Sequence, residues 1–306
     1  MQATSHILMI RPVRFAFNEQ TAESNAFQDP EAAQNAVEVQ EKALHEFDAM
    51  VDGLRNLGVD ITVIEDTPEP HTPDAIFPNN WVSFHANGTV CLYPMYAPNR
   101  RLERREEIIS HLQKKFKVNN TLDFTTYEAA QQFLEGTGSL VLDRINRIAY
   151  ACLSPRTSPE ILEEFARKMD FRVVSFTSTD EKGRQIYHTN VVMCIGDRFA
   201  VICTESIIND EERAYVLQTL QQTGKEVIEI SMEQLKRFAG NMLQVQNKFG
   251  ENILVMSTQA YRSLLPDQLK KLEKHNQMFY TDLYTIESNG GGSARCMMAE
   301  VYLPVK

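Results

Sequence analysis

Hydrophobic and polar positions alternate in short stretches along the chain, and one succession of stretches recurs. Residues 81–95 hold two apolar runs separated by Asn87-Gly88, a dipeptide typical of a β-hairpin turn. Residues 100–116 then place apolar positions three and four residues apart among many charges, which predicts an amphipathic helix. An extended segment follows, so this part of the chain predicts a ββαβ unit.

Four further stretches repeat the order of hairpin, helix and strand. Three of them lie within the chain, and their hairpins cover residues 139–153, 190–204 and 241–257. The last is split between the two ends of the sequence. Its predicted parts are a first strand over 296–304, a second strand over 5–11, a helix over 31–58 and a third strand over 59–65.

The five units have a nearly constant length. Their first strands begin near residues 81, 139, 190, 241 and 296, a spacing of 51 to 58 residues. Periods of this size are typical of repeat folds, and a repeat shared by the two chain ends closes a ring. The pattern therefore predicts an α/β fold of five ββαβ units in pseudo-fivefold arrangement, forming one domain over residues 1–306.

The composition narrows the classes of partner. Hydrophobic residues make up 43% of the chain and charged residues 24%, which are ordinary values for a globular protein. The net charge of −10, with no stretch dense in lysine and arginine, argues against nucleic acid and membrane surfaces. A small-molecule partner is favoured.

The cysteine pattern and the N-terminal stretch indicate a compartment. The five cysteines form no C-x-x-C pair, which argues against a disulfide framework or a zinc site. No stretch resembles a signal peptide or a membrane-spanning helix. A reducing, cytoplasmic location is therefore expected.

Candidate chemistry lies in the polar segments that lead into the first strands. In a ring of repeats these segments converge on the central axis. They carry Asp74, Asn79, Asn80, Glu135, His188, Asn190, Asn241 and Cys296. Each residue alone has an ordinary explanation as a turn residue, a solvated acid or a structural histidine. Together they supply the thiol, base, acids and amides that covalent catalysis by cysteine requires.

The remaining residues of these types give little sign of other chemistry. The other four cysteines lie in apolar runs and are expected to be buried, whereas Cys296 follows GGGSAR. The histidines do not cluster at metal-ligand spacings, and no glycine-rich phosphate loop occurs. We therefore expect neither a metal nor an organic cofactor.

Four short motifs, taken in order, carry a family resemblance. They are DAIFPNN with Asp74, Glu135-Gly136-Thr137-Gly138, His188-Thr189-Asn190 and GGGSARCM with Cys296. They resemble the motifs of the guanidine-modifying, or pentein, superfamily, which includes arginine deiminases, dimethylarginine hydrolases and amidinotransferases. The resemblance covers essentially the whole chain and implies a five-bladed α/β propeller.

The resemblance also implies roles for individual residues. Cys296 would attack the substrate carbon, with His188 and Arg295 assisting the thiol, and His188 would act as general acid and base. Asp74 and Glu135 would orient the substrate and the imidazole. The arginines of APNRR and LSPRTS, which are Arg100 and Arg156, resemble those that hold the α-carboxylate of the substrate.

The departures from the family pattern concern the substrate. Asn80 and Asn190 stand where arginine-processing relatives have acids, and Asn79 stands where dimethylarginine hydrolases have glutamate. A guanidinium offers only donors and carries a full charge, so burying it beside neutral amides costs on the order of several kcal/mol. A ureido group is neutral, and its carbonyl can accept from an amide NH₂.

The sequence therefore predicts hydrolysis of citrulline to ornithine, CO₂ and ammonia through a covalent cysteine intermediate. FPNNW and GGGSARCM also resemble the citrulline-utilisation hydrolase branch of the superfamily. The alternatives are an arginine deiminase or methylarginine hydrolase, an amidinotransferase, and a non-catalytic pentein-fold binding protein. A homo-oligomer is compatible with the sequence, and loop 18–30 is open between a cover for the site, part of an interface and a solvated segment.

Overall fold

The computed structural model describes residues 1–33 and 35–306. Its strands form five three-stranded sheets, called here blades A to E. Blade A contains Val82–Phe84, Thr89–Leu92 and Asn120–Asp123; blade B contains Val141–Asp143, Ile148–Cys152 and Arg172–Phe176; blade C contains Met193–Ile195, Phe199–Ile202 and Glu226–Glu229; blade D contains Leu243–Gln246, Asn252–Ser257 and Gln277–Thr281; blade E contains Ala299–Glu300, His6–Arg11 and Asp60–Glu65.

Every blade has the same strand directions. The second strand in the sequence of the unit is central, pairs antiparallel with the first and runs parallel to the third. Antiparallel neighbours need only a hairpin, whereas the parallel third strand needs a longer crossover, which the helix provides. The predicted α/β fold of five ββαβ units is confirmed.

Blade E joins the two ends of the chain. Ile7 of its central strand lies opposite Glu300, and Leu8 lies opposite Ala299. The same strand, His6–Arg11, runs parallel to Asp60–Glu65. The split fifth unit is therefore assembled as its hydrophobic pattern predicts.

The crossover helices follow the predicted amphipathic segments, with two interruptions. They are Pro98–Arg101 with Glu106–Leu112, Pro159–Met169, Asp210–Gln222, Thr258–Ser263 with Pro266–Glu273, and Ala36–Asn56. The helical segment of blade D is broken because Pro266 cannot donate a backbone hydrogen bond within a continuing helix, and it starts a new helix instead. Ser158 precedes the helix Pro159–Met169, but its hydroxyl accepts a hydrogen bond from the backbone N–H of Phe133 instead of capping the N-terminus of this helix.

Short helical turns precede three first strands and hold the polar entry residues. These turns are Pro78–Asn80, Gly136–Ser139 and Thr189–Val192. Because of the turns, the first strands begin one to three residues later than the hydrophobic pattern predicts. The remaining helices are Glu19–Ala22, Pro30–Ala33, Thr125–Ala130, Thr204–Ser206, Met232–Lys236 and Tyr284–Gly290.

The core lies between the blades and their outer helices. In blade B, the helix Pro159–Met169 turns Ile161 and Phe165 inward against buried residues such as Ala149 of the central strand. Fully burying one such large side chain contributes about 1.5–3 kcal/mol. In the described part of the chain, no helix combines the length and apolar character needed to cross a membrane.

Candidate active site

The segments that enter the first strands meet around one small cavity. Its free volume is about 10 Å³, and its lining is Asn25, Asp74, Phe77, Asn80, Arg100, Arg156, Tyr187, His188, Gly290, Gly291, Gly292 and Cys296. Apart from Asn241 and Arg295, the sequence predicts nine site residues, and six of them belong to this lining. The other three adjoin it through direct contacts of Glu135 with His188, Asn190 with Cys296 and Asn79 with Asn80. The structure thus brings all nine together, while their roles stay predictions.

Cys296 lies in a turn that follows the helix Tyr284–Gly290. Gly291 ends this helix with a φ of 62°, a left-handed conformation that glycine adopts without a side-chain clash. Ser293 then donates to the buried carboxyl of Glu287 at 2.5 Å, and the backbone N–H of Cys296 donates to Ser293 O at 2.9 Å. The glycine cluster therefore turns the chain so that the thiol faces the cavity.

Two side-chain amides donate to the sulfur of Cys296. Asn190 Nδ2 lies 3.4 Å from Sγ, and Asn241 Nδ2 lies 3.3 Å from it. Asn241 also accepts a hydrogen bond from the backbone N–H of Arg295 at 3.0 Å, which fixes the direction of its amide. The guanidinium of Arg295, expected to assist the thiol, instead bonds to Glu300 at 2.7 Å.

His188 and Glu135 form a fully buried pair with 2.7 Å between Nε2 and the carboxylate. Burial lowers the pKa of His188 to about 4 in spite of its carboxylate partner. Burial disfavours ionisation of Glu135, but Arg156 and the bond to His188 outweigh it and lower the pKa of this carboxyl to about 2. At neutral pH the imidazole is therefore neutral, donates through Nε2 and leaves Nδ1 free to accept a proton.

Asp74 and Arg100 belong to a second buried cluster. Arg100 pairs with both oxygens of Glu103 at 2.8 and 3.0 Å and lies 3.7 Å from Asp74. It also donates to Asn80 Oδ1 at 2.8 Å. Burial raises the pKa of Glu103 to about 7 against the effect of Arg100, and burial likewise raises the pKa of Asp74. Since Arg100 already has acidic partners, holding a substrate carboxylate would require it to share or exchange them.

Three buried polar atoms of the site have no hydrogen-bond partner among the described residues. They are Asp74 Oδ1, Asn190 Oδ1 and Asn79 Nδ2. Buried polar atoms are nearly always paired, so these atoms are free to bind a polar ligand. Two of them are acceptors and one is a donor.

Loop residues before the first long helix cover the cavity. Asn18 donates to Asp74 at 2.7 Å, and Asn25 donates to Gly290 O at 3.2 Å. Arg156 donates to Ser24 Oγ at 2.7 Å and lies over the ring of Tyr187 at 4.6 Å. Of the interpretations left open for loop 18–30, the structure shows the cover over the site.

Three residues at the site had no assigned role in the sequence analysis. Asn241 is named there as a converging polar residue but is given no function. Glu103 is not named there, and the only signal for it is its position three residues after Arg100 in a segment predicted to be helical. Tyr187, whose hydroxyl donates to Gly291 O at 2.6 Å, carries no signal apart from its position before His188. Contacts between different blades connect Asn241 and Tyr187 to the site, and spacing along one chain does not encode them.

Comparison with known proteins identifies a family match. Residues 11–303 match a family model described as N,N dimethylarginine dimethylhydrolase, eukaryotic. No curated protein sequence matches the chain.

Solved structures match the fold over nearly the whole chain. The apo arginine dihydrolase ArgZ of the cyanobacterial ornithine–ammonia cycle is 17% identical with a TM-score of 0.77, covering 98% of this chain and 41% of its own. The N-terminal domain of ArgZ bound to product is 18% identical with a TM-score of 0.75, covering 98% of both chains. DDAH from Pseudomonas aeruginosa in complex with citrulline is 16% identical with a TM-score of 0.66, covering 98% of this chain and 100% of its own.

At these sequence identities, the structural likeness establishes the fold alone. The present chain spans less than half of full-length ArgZ. The family match, by contrast, extends over almost all of the sequence. The chain therefore belongs to the N,N-dimethylarginine dimethylhydrolase family of the pentein superfamily.

Proposed function

We propose that this chain hydrolyses a carbon–nitrogen bond in the guanidino or ureido group of a free amino acid, with Cys296 as the nucleophile. The observation that carries the proposal is a small cavity whose lining includes the Cys296 thiol, held by two amide donors, and His188, which pairs with the buried Glu135 behind it. The other cysteines suit the role poorly. Burial raises the pKa values of Cys91, Cys152 and Cys194 to about 12 and that of Cys203 to about 11.

The proposed reaction proceeds in two displacements. Sγ of Cys296 forms a bond to the central carbon while His188 takes the thiol proton, and the carbon–nitrogen bond breaks as His188 returns that proton to the leaving nitrogen. Water then attacks the sulfur-bound carbon and gives a proton to His188, and the carbon–sulfur bond breaks as His188 returns that proton to Sγ. Glu135 holds the imidazole in the tautomer that leaves Nδ1 available.

The comparisons favour a guanidino substrate, arginine or a methylated arginine. The family match and the arginine dihydrolase structures all point to that class, and no comparison points to citrulline as the substrate. The charges add support when all three buried acids are ionised, because Asp74, Glu103 and Glu135 then outnumber the buried arginines Arg100 and Arg156 by one. A cationic side chain would balance that excess.

One feature of the site favours a ureido substrate instead, namely citrulline with ornithine, CO₂ and ammonia as products. The unpartnered atoms include the donor Asn79 Nδ2. A ureido oxygen can accept from it, whereas a guanidinium has no acceptor to offer. Asn190 also presents an amide to the sulfur where arginine-processing relatives are expected to have an acid.

The test compares citrulline, arginine and asymmetric dimethylarginine as substrates of the wild-type chain, with ornithine, citrulline, ammonia and dimethylamine as the measured products. Cys296→Ala is expected to lose turnover of every substrate, and Cys203→Ala serves as the control because that thiol lies outside the site. Wild-type turnover by Cys296→Ala would refute the proposed nucleophile.

The substrate class is decided by the ratio of kcat/KM for citrulline to that for arginine. Asn190→Asp places an additional carboxylate near the reacting group. This variant is expected to shift the ratio toward arginine by about tenfold or more, because an ionised acid pairs with a cation and repels a carbonyl oxygen. An unchanged ratio in a folded Asn190→Asp variant would show that the amide does not select the substrate.

A further inference from the structure

A second cavity lies at the end of the blades opposite the candidate active site. Its volume is about 270 Å³, and its lining includes His85, Arg144, Arg147 and Tyr302. His85 and the two arginines lie in the hairpin turns that follow the first strands of blades A and B, whereas the active-site residues precede those strands. The two cavities share no lining residue.

The side chain of Arg144 is largely buried, and its guanidinium has few acceptors among the described residues. Its side chain is only 9% exposed, and its one recorded hydrogen-bond contact among the described residues is to His85 Nδ1 at 3.4 Å. The nearest carboxylate oxygen, on Glu300, lies 3.9 Å from Nε. An arginine carries five N–H donors, so most of those on Arg144 have no acceptor within hydrogen-bond distance.

Glu300 does not serve as a dedicated partner for Arg144. It accepts from Arg295 at 2.7 Å and from the hydroxyl of Tyr302 at 3.1 Å. One face of the Arg144 guanidinium lies 3.9 Å from the ring centroid of Tyr302, which holds its plane in place. The edge of a fixed planar guanidinium therefore remains free for a ligand in the cavity.

Arg147 adds a second positive charge to the same cavity. Its guanidinium lies over Phe171 at 4.2 Å and donates to the backbone carbonyls of Asp170 at 3.0 Å and of Met169, while the carboxylate of Asp170 is 3.9 Å away and almost fully exposed. Burial, followed by the charges of these two arginines, lowers the pKa of His85 well below its ordinary value. The imidazole is therefore neutral, and the positive charge of the cavity comes from the arginines.

We propose that this cavity binds a small oxyanion, a carboxylate or a phosphate, between Arg144 and Arg147. Planar guanidinium groups bind such anions through paired N–H···O bonds, and the bonds strengthen where water is partly excluded. The anion would give Arg144 the acceptors that it lacks. This site is independent of the substrate assigned to the active site.

Isothermal titration of the full chain with inorganic phosphate and, separately, with acetate tests the proposal, with sodium chloride at the same ionic strength as the reference. Arg144→Gln and Arg147→Gln are each expected to weaken binding about tenfold or more, since each removes a charged hydrogen-bond donor. Arg198→Gln is the matched control, because Arg198 is an exposed arginine in the corresponding turn of blade C. It is expected to bind as the wild type does.

Binding of phosphate but not acetate, or the reverse, supports the site and defines its ligand. Two results would overturn it: wild-type protein that binds neither anion more tightly than chloride, or binding that survives both substitutions and so lies elsewhere. Arg147 is 45% exposed in its side chain, so Arg147→Gln is expected to fold and keeps the test decisive if Arg144→Gln does not.

Discussion

Around the thiol of Cys296, amide nitrogens occupy the positions nearest to the sulfur. Asn190 and Asn241 both donate to it, and the backbone N–H of Arg295 holds the Asn241 carbonyl on the other side. Hydrogen bonds that are donated to a sulfur stabilise negative charge on it without a nearby cation. The neutral His188 is thus left to move protons, while the amides hold the nucleophile.

Replacing Asn241 by an acid of the same shape tests that division of roles. Asn241→Asp exchanges a donor for an acceptor at 3.3 Å from Sγ, so alkylation of Cys296 by iodoacetamide at pH 7 is expected to slow about tenfold. Mass spectrometry of the labelled peptide measures the rate, and Asn87→Asp in an exposed turn is the control. An unchanged rate in folded protein would contradict the role of Asn241.

The buried histidine makes a separate prediction about pH. Burial holds the pKa of His188 near 4, so its neutral form persists as the pH falls from 8 to about 5.5. In Glu103→Gln, which removes the neighbouring carboxyl with a pKa of about 7, kcat/KM is expected to stay level over that range and to decline only as the pH falls through about 4 if His188 is the base. A decline centred near 6.5, the range of an ordinary histidine, would contradict this assignment. Circular dichroism at each pH shows whether the chain is still folded.

Among the elements, the short turn Gly136–Ser139 has little room for larger side chains. A Cβ on Gly138 would collide with Asn80 Nδ2 and lie 2.8 Å from His188 Nδ1. Ser139 accepts from the backbone N–H of Glu135 at 2.9 Å and donates to Arg156 O at 2.9 Å. Gly138 thus leaves space for His188 and Asn80, and Ser139 connects the loops that contain Glu135 and Arg156.

Two glycine-to-alanine changes separate this constraint from backbone strain. Gly138→Ala is expected to lower kcat/KM about 100-fold with the fold retained. The added methyl group would displace the His188 imidazole by up to about 1 Å from its working position. Gly250→Ala has open space around it but a φ of 81°, so it is expected to lower the free energy of unfolding by about 1 kcal/mol at full activity. Steady-state kinetics and urea denaturation distinguish the two effects. Full activity in Gly138→Ala would disprove the close packing.

The secondary-structure elements also show which features of the structure the sequence predicts. The periods of 2 and 3.6 residues, with Asn87-Gly88 and the helical apolar spacing, predicted every hairpin and crossover helix, because these signals are local. The position of Asn241 on the axis followed from the repeat. The direction of its amide and the bond from Asn18 to Asp74 depend on contacts between segments far apart in the chain, which local patterns do not encode.

At the scale of the whole molecule, the two chain ends are part of the ring and not appendages to it. Blade E pairs residues from both ends, and its apolar residues share a core cluster with blade A. Cys296 lies three residues before the first strand of that blade. The position of the nucleophile is therefore tied to closure of the ring.

Leu303 provides the test of that closure. It is 3% exposed and packs in the cluster that contains Ile10 of blade E and Val82 of blade A. Leu303→Ala leaves a cavity where two blades meet, so the free energy of unfolding is expected to fall by about 2–5 kcal/mol in urea denaturation. Val305→Ala, two residues further along and 54% exposed, is the matched control and is expected to change it by less than about 0.5 kcal/mol. Equal small effects of the two changes would mean that the C-terminal segment contributes little to holding the ring together.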